Sequence, residues 1–162
     1  IGARSIGVYK ANDIDQLHQL LQSDSNVVIQ ECVGSSQEEY TASALTFDGK
    51  CYGSIVMRRE LRDGNTYKSY VEQNEVFNRE IQTIAADLSA FGPANFQFRL
   101  DGSTIKIFEI NARFSGTTPL RALAGFNEVE MCIRKILFDE QITQPQIETM
   151  TILRYWSEYI VK

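Results

Sequence analysis

The sequence predicts an α+β domain whose sheet is mostly antiparallel, and three observations carry that reading. The 162 residues are 43% hydrophobic, enough for one unit with a real core. Asp48-Gly49 and Asp101-Gly102 each join two strand-like runs, the signature of a tight hairpin. Before and between these pairs, apolar residues recur at helical spacing over 14–21 and 77–91. Strands joined by hairpins rather than by helical crossovers point to antiparallel pairing.

The elements follow in order. "GARSIGV" at 2–8 reads as a glycine-containing loop entering a short strand. Asn12 is placed to cap a helix carrying Ile14, Leu17, Leu20 and Leu21, with Asp15 in the first turn opposing the helix dipole. "NVVIQECV" at 26–33 is β-branched and reads as a buried strand. After the polar "GSSQE" come the strands "EYTASALTF" and "CYGSIVMRR", then "ELRDGNTYKSYV", a polar connection with room for a further short strand. A long helix starts near Asn74 and stops at Gly92-Pro93, presenting Phe77, Ile81, Ile84, Ala85, Leu88 and Phe91 to one side. "ANFQFRL" and "TIKIFEINA" form the second strand pair. Thr118-Pro119 reads as an N-cap with proline at the first helical position, and Asn127 with Glu130 as a capping box opening a helix to about Phe138. A last strand runs from about Ile147 to Val161.

Composition limits the function. A net charge of −5 and a pI near 4.9 argue against a nucleic-acid surface, which needs a basic stripe. No apolar run approaches the roughly 20 residues of a membrane span, and the start does not read as a signal peptide. Three cysteines, Cys32, Cys51 and Cys132, without C-x-x-C spacing suggest neither disulfides nor zinc. Buried free thiols in a reducing, cytoplasmic setting are expected. His18, on an amphipathic helix, reads as structural.

The chemistry concentrates at 108–116, "FEINARFSG". Alternation along a strand puts Glu109, Asn111 and Arg113 on one face and Phe108 and Ile110 on the other. Gln97 on the preceding strand joins that face only if the connection is odd or bulged, because opposed positions in an antiparallel pair have a constant sum. Converged, Gln97, Glu109 and Asn111 offer hard oxygens suited to Mg²⁺, with Arg113 as a bidentate phosphate clamp. The plain alternative is an exposed sheet face with scattered polar residues. Arg58, Arg59, Arg62 and Lys68 read either as a solvated basic face or as contacts to a triphosphate or acidic substrate. Arg121 reads equally as a partner for a substrate carboxylate and as a surface arginine. Phe77, Phe91, Phe96, Phe98 and Phe108 sit at core periodicity.

"NFQF", then "IFEINARFSGTT", then a helix ending at a glycine with "GFNEVE", resemble the C-terminal part of the ATP-grasp fold, in its carbamoyl-phosphate-synthase-like, carboxylate-amine ligase branch. "GARSIGV" is similar to that family's glycine-rich phosphate loop, "VIQECV" to its adenine-side strand and "EYT" to the strand beginning with a ribose-binding acid. The resemblance implies that residues 1–32 are the remainder of a small subdomain and 33–162 the C-terminal subdomain. It implies ATP and Mg²⁺ (or Mn²⁺) as cofactors. Gly2, Arg4 and Ser5 would cover the phosphates, Glu31 and Val33 meet the adenine, and Glu39, rather than Glu38, take the ribose. Gln97, Glu109 and Asn111 would hold the metal and Arg113 the transferring phosphoryl group. The implied reaction forms an acyl phosphate from a small carboxylate for attack by an amine or ammonia, in which positioning and charge neutralisation matter more than a protein nucleophile. Family members also carry a phosphate-binding lysine and a further α/β domain upstream, so this chain reads as an N-terminally incomplete fragment, inactive alone, whose partner is the missing N-terminal domain. A homo-oligomer is compatible with the sequence. A non-catalytic nucleotide-binding regulatory module is the alternative, and an interaction domain, expected to have an even loop between Leu100 and Ile105, is a third reading.

Overall fold

The computed structural model describes residues 7–23, 26–35 and 37–155. Its element order is α1 (Ile14–Ser23), β1 (Glu39–Phe47), β2 (Lys50–Arg62), β3 (Asn65–Val71), α2 (Glu75–Asp87), β4 (Gly92–Asp101), β5 (Thr104–Asn111), α3 (Thr118–Leu123), α4 (Glu128–Phe138) and β6 (Met150–Leu153). Among the described residues six strands form one antiparallel sheet in the order β5-β4-β1-β2-β3-β6.

Two-residue turns build the meander. Asp48 (φ 51°) with Gly49 (φ 71°), and Asp63 (φ 51°) with Gly64 (φ 71°), both take the left-handed conformations that match the strand twist. The second of these turns opens "NTYKSYV" as β3, the further strand for which the sequence left room in this polar connection.

Helices cover both faces. On one, α2 packs Ile81 and Ala85 onto Ala42, Ala44, Val56, Ala94, Phe96 and Phe98. On the other, Leu120, Ala124, Phe126 and Cys132, from α3, α4 and their connection, pack onto Leu45, Phe47, Ile55, Met57 and Val71. This second face changes character along its length. Its apolar end is covered, while its polar end carries Glu39, Arg59, Gln97, Arg99, Glu109 and Asn111.

Several expectations are corrected. The run 26–33 forms no strand: Val28 is 84% exposed, and no ladder joins this segment to the sheet. β-branched residues favour a strand only where one can pair and bury them. The cap of α1 is Asp13, whose Oδ1 accepts from the Gln16 N–H at 2.8 Å, while Asn12 donates to the Gln16 side chain. Asn74 caps α2 as expected, accepting from the Phe77 N–H at 3.0 Å. That helix stops at Asp87, however, with Ser89 left-handed, so Gly92-Pro93 opens β4 and Phe91 is exposed. Thr117 is the N-cap residue of α3, one position before the expected Thr118. Asn127 caps α4 through the Glu130 N–H and the helix ends at Phe138 as expected. Of the last strand expected over 147–161, the described residues form Met150–Leu153, and 156–161 lie outside them.

Candidate functional site

Gln97 and Glu109 are directly opposed, and so are Asn95 and Asn111. The connection between β4 and β5 is an even, two-residue turn on Gly102-Ser103, which alone would pair Gln97 with Phe108. A bulge between Gln97 and Phe98 on one side and Ile107 and Glu109 on the other leaves Phe108 unpaired and moves the register by one. The bulge, not the turn, brings Gln97 to Glu109, and it satisfies the condition set by strand alternation despite the even loop.

The three side chains are joined. Gln97 Nε2 donates to Glu109 Oε1 at 3.0 Å and Asn111 Nδ2 donates to the same oxygen at 2.5 Å. Gln97 Oε1 accepts from Arg59 Nη2 at 2.5 Å. Arg59 also binds Glu39 Oε1 through Nη2 at 2.7 Å and Nε at 3.2 Å. Arg99 holds Glu39 Oε2 at 2.8 and 3.2 Å. One chain of hydrogen bonds therefore runs Arg99, Glu39, Arg59, Gln97, Glu109, Asn111.

Behind it lies a wall of buried polar groups. Arg121, wholly inaccessible, donates through Nη2 to Asn95 Oδ1 at 2.6 Å, Thr41 Oγ1 at 3.1 Å and the Ala42 carbonyl at 3.2 Å. Its Nη1 meets Glu128 Oε1 at 3.1 Å, and Glu128 also accepts from Ser43 and Thr118. Burial pulls the Arg121 pKa down, and the Glu128 carboxylate opposes that pull. Neither reading of Arg121 from sequence holds: it fixes α3 and α4 to β1 and β4.

The remaining expected site residues are placed as follows. Gly2, Arg4 and Ser5 lie outside the described residues. Glu31 is exposed and Val33 half-buried in the segment 26–33, which touches the sheet where Gln30 Nε2 donates to the Phe108 carbonyl at 3.0 Å. Glu39 is buried with both oxygens engaged by arginines, so no free carboxylate oxygen faces a sugar hydroxyl here; a ribose contact requires an arginine to let go. β5 ends at Asn111, so strand alternation does not extend to Arg113, which is exposed and donates to the Phe114 carbonyl at 3.0 Å. The basic cluster divides. Arg59 turns to the polar face, whereas Arg58 stacks on Tyr70 (3.8 Å to the ring centre), Arg62 on Tyr67 (4.4 Å), and Lys68 sits near Glu60 and Tyr70. The thiols are not uniformly buried: Cys32 is exposed, Cys51 half-buried and Cys132 buried.

As a cation site, the donor set is one carboxylate and two amides whose oxygens become available by rotation about the terminal torsion. Among the described residues no group of three or more His, Cys, Asp or Glu gathers. A lone carboxylate with two amides fits a hard cation that keeps waters and is completed by phosphate oxygens, which is the habit of Mg²⁺.

The family model for "ATP-grasp in the biosynthetic pathway with Ter operon" matches residues 25–158. The chain belongs to the ATP-grasp family. Among solved structures, this ATP-grasp chain is similar to carboxyaminoimidazole ribonucleotide synthase from Aspergillus clavatus complexed with ATP, at 15% identity and a TM-score of 0.67, over 94% of this chain and 43% of that one. N5-carboxyaminoimidazole ribonucleotide synthetase from Thermus thermophilus matches at 14% identity and a TM-score of 0.64, over 86% and 41%. The biotin carboxylase domain of 2-oxoglutarate carboxylase from Hydrogenobacter thermophilus, solved with MgADP and bicarbonate, matches at 14% and 0.52, over 67% and 27%. At these identities the likeness is one of fold. The chain spans about a third to a half of the length of the first such structures. No curated protein matches the sequence. Among the described residues no helix is long and apolar enough to cross a membrane.

Proposed function

We propose that this ATP-grasp chain is the metal- and phosphate-binding part of an ATP- and Mg²⁺-dependent ligase that activates a small carboxylate as an acyl phosphate for attack by an amine or ammonia. The observation that carries the reading is the bulge at Phe108, which aligns Gln97, Glu109 and Asn111 on one open face. A bulge beside a functional cluster re-aims side chains at a cost that an ordinary sheet face has no reason to bear. The ligands reported with similar structures, ATP in one and MgADP with bicarbonate in another, agree with that chemistry.

In this reading Glu109, Gln97 and Asn111 hold Mg²⁺ against the nucleotide phosphates. The bound ion supplies charge neutralisation for phosphoryl transfer. Arg113 swings from the Phe114 carbonyl to the transferring group, and Glu31 and Val33 meet the adenine through backbone groups. Gly2, Arg4 and Ser5 close over the phosphates. Glu39 holds Arg59 and Arg99 in place and reaches the ribose only if one of them moves. A carbamoyl-phosphate-type reaction is one member of this class.

Calorimetry on the full-length protein tests the reading. ATP binding is expected to tighten on adding Mg²⁺ and to lose that gain in Glu109→Ala, while Glu109→Gln abolishes ATP turnover without changing the melting temperature by more than a few degrees. Binding indifferent to both metal and mutation would remove the site. Metal-dependent binding without turnover for any carboxylate and amine pair would leave a regulatory nucleotide-binding module.

A further inference from the structure

Arg59 holds one of the two amide oxygens that a cation beside Glu109 would use. Its Nη2 donates to Gln97 Oε1 at 2.5 Å, and Gln97 in turn presents Nε2, not oxygen, to Glu109 at 3.0 Å. Gln97 is therefore locked with its donor end toward the acid. To offer its oxygen to a cation at Glu109, Gln97 must turn its amide over, which brings the NH₂ against the Arg59 guanidinium. Two donors then face each other, and Gln97 and Arg59 can no longer be partners.

Arg59 is built to be let go. Its other anchor, Glu39, is held from the opposite side by Arg99 at 2.8 and 3.2 Å, so Glu39 stays charge-paired if Arg59 departs. Directly across the ladder from Arg59, Ser69 carries a hydroxyl that is wholly buried and without a hydrogen-bond partner. A mobile guanidinium beside an unspent hydroxyl is a donor set for an anionic oxygen.

We propose that Arg59 is a phosphate-binding residue under the control of Gln97: the amide holds it in reserve while the cation position is empty, and releases it toward a phosphate oxygen of the nucleotide when Gln97 turns to a cation. Cation and anion binding are thereby coupled through one side-chain rotation, and the coupling is reciprocal. This rests on the nucleotide-binding reading above and assigns a role within it.

The coupling predicts a gain in affinity from each single substitution, one for the cation and one for the anion, and the gain in anion affinity on changing Gln97 is not expected of a merely structural arginine. On the full-length protein, Mn²⁺ alone is titrated by electron paramagnetic resonance, and ADP in excess EDTA by calorimetry. Arg59→Met removes the competitor for the Gln97 oxygen, so Mn²⁺ is expected to bind about threefold to tenfold more tightly than to the wild type. Gln97→Leu frees Arg59, so metal-free ADP is expected to bind more tightly by a similar factor, although a cation ligand has been lost. Arg59→Met/Gln97→Leu is expected to forfeit that gain in ADP affinity. Should Arg59→Met fail to fold, Arg59→Lys keeps the charge opposite Glu39, and the Gln97→Leu arm stands by itself. Wild-type binding of both probes with unchanged or weaker Mn²⁺ affinity in folded Arg59→Met, or weaker ADP affinity in Gln97→Leu, overturns the coupling alone. A wild type that binds neither Mn²⁺ nor ADP overturns the proposed function together with it.

Discussion

Arg121 and Glu128 form the most deeply buried ion pair among the described residues. Both are wholly buried at 3.1 Å, and each has hydrogen bonds to other elements besides. Removing one partner leaves an uncompensated buried charge, so Arg121→Ala is expected to lose about 3–5 kcal/mol, read as a fall in the urea midpoint. Arg121→Met/Glu128→Gln should recover part of that loss, because no full charge is then stranded. Cys132 gives a pH signature. Burial, assisted by the Glu128 charge, pushes its thiol from 9.0 to about 11. A folded pKa above the unfolded one gives stability that is complete below the unfolded value and is lost as pH rises through the folded one. Stability attributable to Cys132 should therefore decline from about pH 9 to pH 11, and Cys132→Ala should flatten that part of a urea midpoint versus pH curve. Legibility at this scale was uneven. Gln97, Glu109 and Asn111 could be found because two-residue spacing on a strand is visible in a sequence. Arg59 hid among Arg58, Arg62 and Lys68, although its even spacing from Met57 and Ile55 separates it from Arg58 on alternation alone. Nothing in the spacing of Arg121 and Glu128, which straddles a loop, announces an ion pair.

Among elements, those specified by local chemistry were legible and those specified by distant partners were not. The Asp48-Gly49 hairpin and the caps at Asn74 and Asn127 are decided within a few residues, and each stands where the sequence put it. The segment 26–33 has strand propensity but no strand to pair with among the described residues, so Val27 and Val28 are exposed. Leu88 and Phe91 continued the helical period of α2 beyond its end because the period says nothing of Ser89, whose left-handed backbone stops the helix. The bulge at Phe108 lay between these cases. Its need followed from strand arithmetic, but its position did not, since any residue between the turn and Glu109 would have satisfied the same count.

Across the whole molecule, a chain of net charge −5 gathers arginines on one face of one sheet. Arg59 and Arg99 flank Glu39 there, while acidic residues elsewhere set the overall sign. The α+β class and antiparallel pairing were readable because hairpins dominate the connections. The strand order was not, because β4 returns beside β1 only after α2 has crossed from β3, a placement decided by packing on Ala42, Ala44 and Ile81. That order puts β5 at the margin of the sheet, bonded to β4 alone along its length. Among the described residues no strand pairs with its outer edge, where Gln30 meets the Phe108 carbonyl, so its outward amides should exchange with deuterium faster than those of β4. The strand that carries Glu109 and Asn111 is thus one whose amide protons report on whatever comes to cover them. Slowed exchange across 104–111 on adding MgATP would report occupancy without any assay of turnover, and unchanged exchange there would mean that the nucleotide binds elsewhere or not at all.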